Sequence, residues 1–191
     1  MTKRYWVVAA VPLFVLLARV WLATAGATPE VQPPLADLND PGSLKAQFNS
    51  EASKVRSIIL LSASCPYCLK GASEIERILT KNPERAIAVF VVWQPILATD
   101  WGKPGTGALH RLSDARVRQF WDANHTIAKV LEQSSHGREL QPSCCFQRDI
   151  WWDLMAVYPP GAVWNETLPV PLLLDGTVED TAPAFDALLA R

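Results

Sequence analysis

The sequence has almost no net charge, few cysteines, and no recognisable serine-nucleophile, phosphate-loop or paired-carboxylate motif. Its 191 residues carry a formal net charge of −1 without a run of basic side chains. This excludes an electrostatic case for nucleic-acid binding, because such proteins normally carry a basic patch. Four cysteines are too few for a disulfide-scaffolded miniprotein, and the chain is long enough to build its own core. Hydrophobic residues make up 49% of the chain, which excludes a disordered protein.

The N-terminal segment has the three parts of a secretory signal. Lys3 and Arg4 precede an apolar run over residues 6–22 that Arg19 interrupts, and small residues follow at 25–27. The run is shorter than the ~20 residues of a membrane-spanning helix. We therefore expect residues 1–27 to be a signal peptide or an N-terminal membrane anchor. The expected location is periplasmic or otherwise extracytoplasmic, either soluble after cleavage or tethered by residues 6–22, with no other membrane contact.

A proline-rich segment separates this signal from the regular part of the chain. Residues 28–42 contain four prolines, which predicts an extended linker. We expect one folded domain over residues 43–191, with a helical or loop insertion at about 95–150.

The hydrophobic pattern then predicts a strand, a helix and a strand. Residues 55–63 and 86–92 are short apolar runs typical of buried strands, and residues 68–81 form an amphipathic helical pattern. This order implies a parallel pair with a right-handed crossover. Farther along the chain, we predict helices from Ser113-Asp114 to Phe120 or Trp121, over 125–133 and over 183–189. We predict a strand over 170–174, and either a strand or a helix over 149–158. A hairpin turn is predicted at Asp175-Gly176, with a partner strand from Thr177.

A Cys-x-x-Cys motif lies between the first strand and the helix. Cys65 and Cys68 flank Pro66 and Tyr67, so the motif lies at the first helical turn. Unpaired N–H groups and the helix dipole there favour a thiolate and lower the pKa of Cys65. Pro66 suits the first turn because it has no N–H group. The spacing makes Cys65 the exposed nucleophile and Cys68 the thiol that resolves a mixed disulfide.

Three other interpretations of this motif remain open: half of a zinc site, a purely structural disulfide, and a chance pair of unrelated buried cysteines, which the strand-to-helix context disfavours. A zinc site needs a second ligand pair, and the remaining cysteines are adjacent in sequence, which is not zinc-finger spacing. A purely structural disulfide is compatible with an exported protein. The histidines, His110, His125 and His136, lack the spacing of metal ligands on a helix, and we expect no metal site.

The strand, the CPYC motif, the helix, the second strand and the later Pro171-Leu172-Leu173-Leu174-Asp175-Gly176 segment resemble the thioredoxin superfamily. The resemblance implies an α/β thioredoxin-like fold with a central mixed β-sheet flanked by helices. It also implies a substrate groove formed by Pro66, Tyr67 and Pro171, with a cis bond before Pro171 or, alternatively, Pro169. Many members carry an aspartate six residues before the first cysteine. Here that residue is Ile59, so we expect Cys68 to lack that particular proton acceptor.

The second cysteine pair, Cys144-Cys145, lies in a polar, irregular stretch. The adjacent thiols are compatible with an internal redox relay to the first pair, with a labile disulfide between neighbours, or with a soft-metal site. They are equally compatible with two free cysteines.

The sequence thus favours an exported thiol–disulfide oxidoreductase without an organic or metal cofactor. Its expected partners are protein thiols and disulfides, together with an unidentified redox partner that recycles Cys65 and Cys68. Two alternatives are a thiol-based protein that handles copper, mercury or zinc, and a non-catalytic interaction domain on a thioredoxin fold.

Overall fold

The computed structural model of the chain describes residues 33–136 and 141–190. The signal or anchor expected at 1–27 lies outside these residues. None of the helices within the described ranges combines the length and hydropathy needed to cross a membrane.

The described residues form strands and helices that alternate along most of the chain. In chain order they are β1 (Leu35–Asp37), α1 (Gly42–Ser50), β2 (Val55–Leu61), α2 (Pro66–Lys81), β3 (Ile87–Trp93), α3 (Thr106–Leu109), β4 (Val117–Trp121), α4 (Thr126–Ser135), β5 (Phe146–Gln147), β6 (Ile150–Trp151), β7 (Leu154–Tyr158), β8 (Leu173–Gly176) and α5 (Val178–Leu189).

The core is a six-stranded mixed sheet in the order β1-β4-β3-β2-β7-β8. The pairs β1–β4, β4–β3 and β3–β2 are parallel, whereas β2–β7 and β7–β8 are antiparallel. Ile59 in the central strand pairs with Val91 of β3 on one side and Met155 of β7 on the other. The β2–α2–β3 unit, with its two strands parallel, is the one that the hydrophobic pattern predicts. The expected α/β class, with a central mixed sheet flanked by helices, is confirmed.

Helices cover both faces of the sheet, which explains why four apolar residues follow one another at 58–61 in β2. Ile59 and Leu61 belong to one hydrophobic cluster with buried residues of α2 and α5. Ile58 and Leu60 point to the opposite face and belong to a second cluster with buried residues of α1 and α4. Alternation along the strand thus divides one apolar segment between two cores.

The predicted helix from Ser113-Asp114 to Trp121 is wrong, because residues Val117–Trp121 form β4. This segment contains a β-branched residue and two aromatics, and its pairing with β3 and β1 overrides the helical pattern. The range 95–150, expected to be an insertion, therefore contributes a strand to the central sheet.

The predicted domain boundary at residue 43 is too late. Leu35–Asp37, within the expected linker, pairs in parallel with β4 as the edge strand β1. The extended conformation of a proline-rich segment is compatible with an edge strand, where half of the backbone groups need no partner.

The predicted hairpin at Asp175-Gly176 is also wrong. The backbone continues from Gly176 into α5, whose N-cap is Thr177, and the Thr177 side chain accepts a hydrogen bond from the Asp180 N–H at 3.2 Å. Glu179 and Asp180 lie in the first turn, where they complement the helix dipole. The sequence Thr-x-x-Asp is thus a helix start, and α5 begins five residues before Pro183.

A buried arginine joins the first helix to the loop after β7. Arg56 is fully buried and donates hydrogen bonds to the carbonyl oxygens of Ala162 at 2.7 Å, Pro159 at 2.7 Å and Phe48 at 3.2 Å. Its guanidinium also lies 4.3 Å from the centroid of the Phe48 ring. A further hydrogen bond runs from Arg56 to the Lys54 carbonyl oxygen at 3.2 Å. Burial lowers the pKa of Arg56, and the four carbonyl dipoles offset part of the cost of desolvating its charge.

We expect Arg56→Lys to lower the free energy of unfolding by about 2–3 kcal/mol, because a lysine cannot reach all the carbonyl groups and a buried acceptor without a donor costs ~1–3 kcal/mol. Urea unfolding at neutral pH measures the change. Arg77→Lys is the matched control, since the Arg77 side chain is 60% exposed. Equal stabilities of the two variants would contradict the structural role of Arg56.

Candidate active site

The CPYC motif lies at the junction of β2 and α2, as the sequence predicts. Cys65 is the N-cap of α2, and its sulfur accepts a hydrogen bond from the Cys68 N–H at 3.3 Å. Pro66 occupies the first turn of the helix, where the absence of an N–H group has no cost. The Cys65 sulfur therefore accepts a hydrogen bond from one of the backbone N–H groups that have no partner within the first turn of a helix.

Cys65 is not exposed, contrary to the expectation for a nucleophile. It is 2% exposed, Cys68 is fully buried, and both belong to the cluster that lies between the sheet and helices α2 and α5. The intervening Pro66 and Tyr67 are exposed. β2 ends only a few residues before Cys65, so the start of α2 packs against the core and Cys65 is buried there.

A carboxylate that the sequence analysis missed completes the site. The Cys65 sulfur, the Cys68 sulfur and an Asp153 carboxylate oxygen all lie within 4.8 Å of one another, and all three residues are buried. Asp153 directly precedes β7, which pairs with β2, and its backbone has a φ of 48°. Its carboxylate accepts a hydrogen bond from the Val178 N–H at 3.1 Å. Cys68 has no aspartate at position 59, as the sequence shows, but Asp153 supplies a carboxylate from the start of a different strand.

The two thiols differ strongly in acidity. The hydrogen bond from the Cys68 thiol lowers the pKa of Cys65 to about 7, against the opposing effect of burial. Burial raises the pKa of Cys68, and its hydrogen bond to Cys65 and the nearby Asp153 carboxylate raise it further. Near neutral pH, Cys65 is therefore ionised to a substantial extent, whereas Cys68 stays protonated.

Asp153 holds its proton more tightly than an ordinary carboxyl group. Burial raises the pKa of Asp153, although hydrogen bonds from the Val178 N–H and from Cys68 oppose the shift. The acidic side chains of Asp180 and Glu179 contribute to the increase. A carboxyl group whose pKa is shifted towards neutral pH, in contact with a thiol, is suited to proton exchange with that thiol.

Asp100 holds the turn that precedes Cys65. Its carboxylate accepts hydrogen bonds from the Ser62 hydroxyl at 2.8 Å and the Ser64 N–H at 3.1 Å. It also accepts from the N–H groups of Ile96 and Leu97, both at 2.8 Å. Burial opposes its ionisation, yet these hydrogen bonds lower the pKa of Asp100. One carboxylate thus joins the segments that follow β2 and β3.

Pro171 does not have the predicted cis bond. The cis peptide bond in the described residues is Gly176–Thr177, so the bonds before Pro171 and Pro169 are trans. Pro171 lies just before β8, which is separated from β2 by β7. Asp153, not a proline, precedes β7, the antiparallel neighbour of β2.

Cys144 and Cys145 form a disulfide with each other, so two of the four earlier alternatives, free thiols and a thiolate metal site, do not describe the form seen here. The described residues contain one group of three side chains able to hold a metal ion, Cys65, Cys68 and Asp153. The three histidines are not part of it.

No protein-family model and no curated protein matches the chain. Among solved structures, the chain is similar to the solution structure of a thioredoxin-like protein in the oxidized form. The sequence identity is 15%, the match covers 72% of this chain and 78% of that chain, and the TM-score is 0.46. At this level of similarity, the fold assignment depends on the strand order of this chain itself.

We expect removal of the Cys68 thiol to raise the pKa of Cys65. In Cys68→Ala, which lacks a donor side chain, the value should rise from about 7 towards the ordinary ~8.5. Cys68→Ser, which keeps a hydroxyl donor, should show a smaller rise. The measurement is the pH dependence of iodoacetamide alkylation, read by mass spectrometry on the tryptic peptide 57–70. A pKa in Cys68→Ala at or below that in Cys68→Ser would disprove the role of this hydrogen bond.

Proposed function

We propose that the protein is an exported thiol–disulfide oxidoreductase that acts on protein disulfides and dithiols. The observation that carries the proposal is the cluster of two thiols and one carboxylate, Cys65, Cys68 and Asp153, within 4.8 Å at the start of a helix. A purely structural disulfide or an interaction domain has no need of a proton acceptor beside the second cysteine. Thiol–disulfide exchange needs no organic or metal cofactor.

The first step is attack by Cys65 on a substrate disulfide. With its pKa at about 7, a large fraction of Cys65 is thiolate at neutral pH, and a thiol with a pKa near ambient pH is the most effective attacking group. Its sulfur forms a bond with one substrate sulfur, and the other substrate sulfur leaves as a thiolate. The product is a mixed disulfide between Cys65 and the substrate.

The second step is resolution by Cys68. The Cys68 thiol transfers its proton to the Asp153 carboxylate and attacks the Cys65 sulfur. A Cys65–Cys68 disulfide forms, and the second substrate sulfur leaves. Because burial strongly disfavours a free Cys68 thiolate, proton transfer must accompany the attack.

The surface around the motif supplies the substrate contacts in this proposal. Pro66 and Tyr67 are exposed beside the covered Cys65, and the Tyr67 side chain is 60% exposed. An extended substrate chain docked on these two residues brings its disulfide to the start of α2. Pro171 is buried before β8 and is not part of this proposed contact surface. A separate redox partner would recycle the Cys65–Cys68 pair after each turnover.

A second candidate function is metal handling by the reduced protein. The same cluster offers two thiolates and a carboxylate, a donor set that suits Zn²⁺, and the thiolates suit Cu⁺. Asp153→Asn distinguishes the two functions. Stoichiometric Zn²⁺ or Cu⁺ binding that outcompetes disulfide exchange and is weakened in this variant would favour the metal function.

Trapping of the mixed disulfide tests the proposed function. In a Cys68→Ser, Cys144→Ser, Cys145→Ser variant, Cys65 is the single remaining cysteine. We expect it to form a stable mixed disulfide with a synthetic peptide that contains one disulfide, because no thiol is left to resolve it. Mass spectrometry of the acid-quenched adduct gives the yield.

The matched control for this trap is Cys65→Ser combined with Cys144→Ser and Cys145→Ser. It retains only Cys68, whose raised pKa should make it unreactive. Equal adduct yields in the two variants, or no adduct in either, would refute the assignment of Cys65 as nucleophile.

We expect Asp153→Asn to slow the release of substrate from the mixed disulfide by at least about 100-fold, the lower end of the range for a positioned general base. Single-turnover reduction of the same peptide disulfide measures this step. Asp149→Asn is the matched control, because Asp149 is exposed and has a similar positive φ of 61°. A rate in Asp153→Asn equal to that in the control would exclude Asp153 as proton acceptor.

The same variant should be more stable than the natural protein at neutral pH. The raised pKa of Asp153 means that its contribution to stability is greatest below the unfolded value of ~3.9 and is lost as pH rises through the folded value. The stability gain of Asp153→Asn should therefore vanish in acid. Thermal unfolding as a function of pH measures it.

A further inference from the structure

The disulfide between Cys144 and Cys145 is a second redox-capable group that the proposed function does not use. Its two cysteines are adjacent in sequence and lie just before the small β5–β6 hairpin. Both cysteines are partly exposed, in contrast to the buried Cys65 and Cys68. The protein thus holds one covered pair and one accessible pair of sulfurs.

On one side, this disulfide packs against Gly176, a residue that also lies close to the Asp153 backbone. A side-chain carbon added at Gly176 would lie 2.9 Å from the Cys145 sulfur and 3.2 Å from the Cys144 sulfur. The same carbon would overlap the backbone carbonyl oxygen of Asp153. Gly176 therefore lies in close contact with both the disulfide and the Asp153 backbone, which explains the need for a glycine at this position.

A backbone hydrogen bond strengthens this connection. The Trp152 N–H donates to the Cys145 carbonyl oxygen at 3.0 Å, which anchors the disulfide segment to the residue just before Asp153. The Asp153 carboxylate in turn faces Cys65 and Cys68. The Asp153 side chain therefore lies beside Cys65 and Cys68. Its backbone carbonyl oxygen lies close to Gly176, which in turn packs against the Cys144–Cys145 disulfide.

On its outer side, the disulfide borders a pocket of about 300 Å³. Residues that line the pocket include Cys144, Phe146, Trp151, Glu132 and His136. The Phe146 side chain is 53% exposed, and polar and aromatic groups both face the cavity. A pocket of this size accepts a small molecule or the tip of a peptide, and it gives such a ligand access to Cys144.

We propose that Cys144–Cys145 is a second redox centre that exchanges two electrons with Cys65–Cys68 and, through its pocket, with low-molecular-weight thiols and disulfides. This inference rests on the proposed function of the first pair. The second centre would explain how an oxidoreductase can work with a buried nucleophile, because electrons reach Cys65 and Cys68 through the more accessible Cys144 and Cys145.

The exchange balances as two successive thiol–disulfide reactions. The Cys65 thiolate attacks the Cys145 sulfur, the Cys144–Cys145 bond breaks, and Cys144 leaves as a thiolate that takes a proton from water. Cys68 then transfers its proton to Asp153 and attacks Cys65. The Cys65–Cys68 bond forms, and Cys145 leaves as a thiolate.

The net result is oxidation of the first pair and reduction of the second by two electrons. A small disulfide in the pocket then reoxidises the Cys144 and Cys145 dithiol and leaves as two thiols. All steps are reversible, so the same route carries electrons inward when a small dithiol is the donor.

Internal cross-linking in Cys68→Ser tests the inference. Without Cys68, the exchange should stop at the mixed disulfide between Cys65 and the second pair. Trypsin then yields the peptide 57–70 linked to the peptide 139–148, and one thiol of the latter stays free. We expect about tenfold more linked peptide than in the matched Cys65→Ser control, at a yield independent of protein concentration.

A second measurement uses the natural chain and does not depend on how the variant folds. The fully reduced protein receives one equivalent of oxidised glutathione, and both disulfides are mapped over time. We expect the Cys144–Cys145 and Cys65–Cys68 disulfides to interconvert at a rate that does not change on tenfold dilution.

The possible outcomes separate this inference from the proposed function. Absence of the internal link in Cys68→Ser, with Cys65 still forming a mixed disulfide with the peptide probe, overturns the second centre alone. A Cys65 that reacts with neither partner overturns both. A link that disappears on dilution reflects contact between molecules and also overturns the internal route.

Discussion

The contact between the Asp153 carboxylate and the two thiols is the constraint on which the site depends. It requires β7 to pair with β2, because Asp153 directly precedes the one strand and the cysteines follow the other. An antiparallel pair brings the start of β7 beside the end of β2, so sheet topology alone places the carboxylate at the start of α2. The backbone N–H of Val178, at the start of α5, then orients the carboxylate. Three elements distant in sequence thus meet at one point.

Burial gives the three groups different properties. A helix start and a hydrogen bond favour negative charge on Cys65, whereas Cys68 lies deeper, against the sheet, where charge is disfavoured. Asp153 shares that environment and so holds its proton more readily than an exposed carboxyl group. Two cysteines in the same buried environment therefore have pKa values shifted in opposite directions. Burial also makes the site inaccessible to bulk water.

Local patterns in the sequence predicted the core of the fold but not the partners that complete it. The β2–α2–β3 unit and the position of Cys65 at the helix start follow from apolar periodicity, a proline and cysteine spacing, all within about forty residues. Asp153 was missed because its role arises from strand pairing across ninety residues, and no local pattern marks an aspartate before an apolar run as buried. The helix predicted over 113–121 failed for the same reason, since pairing with β3 decided its conformation. Pro171 was predicted to form part of the substrate groove from the family resemblance alone. In the observed strand order, the strand that pairs antiparallel with β2 is β7, which Asp153 precedes.

The order of these residues along the chain has a consequence for biosynthesis. Ribosomes release the CPYC motif long before Asp153 and Val178, and domains fold as units once their chain is available. Until the last third of the chain emerges, the two cysteines lack both the burial and the carboxylate that distinguish them, and they react as ordinary thiols. The difference in acidity between the two cysteines is therefore a property of the folded domain. A nascent or truncated chain carries the same motif without this difference, and in an oxidising compartment both of its thiols are open to disulfide formation.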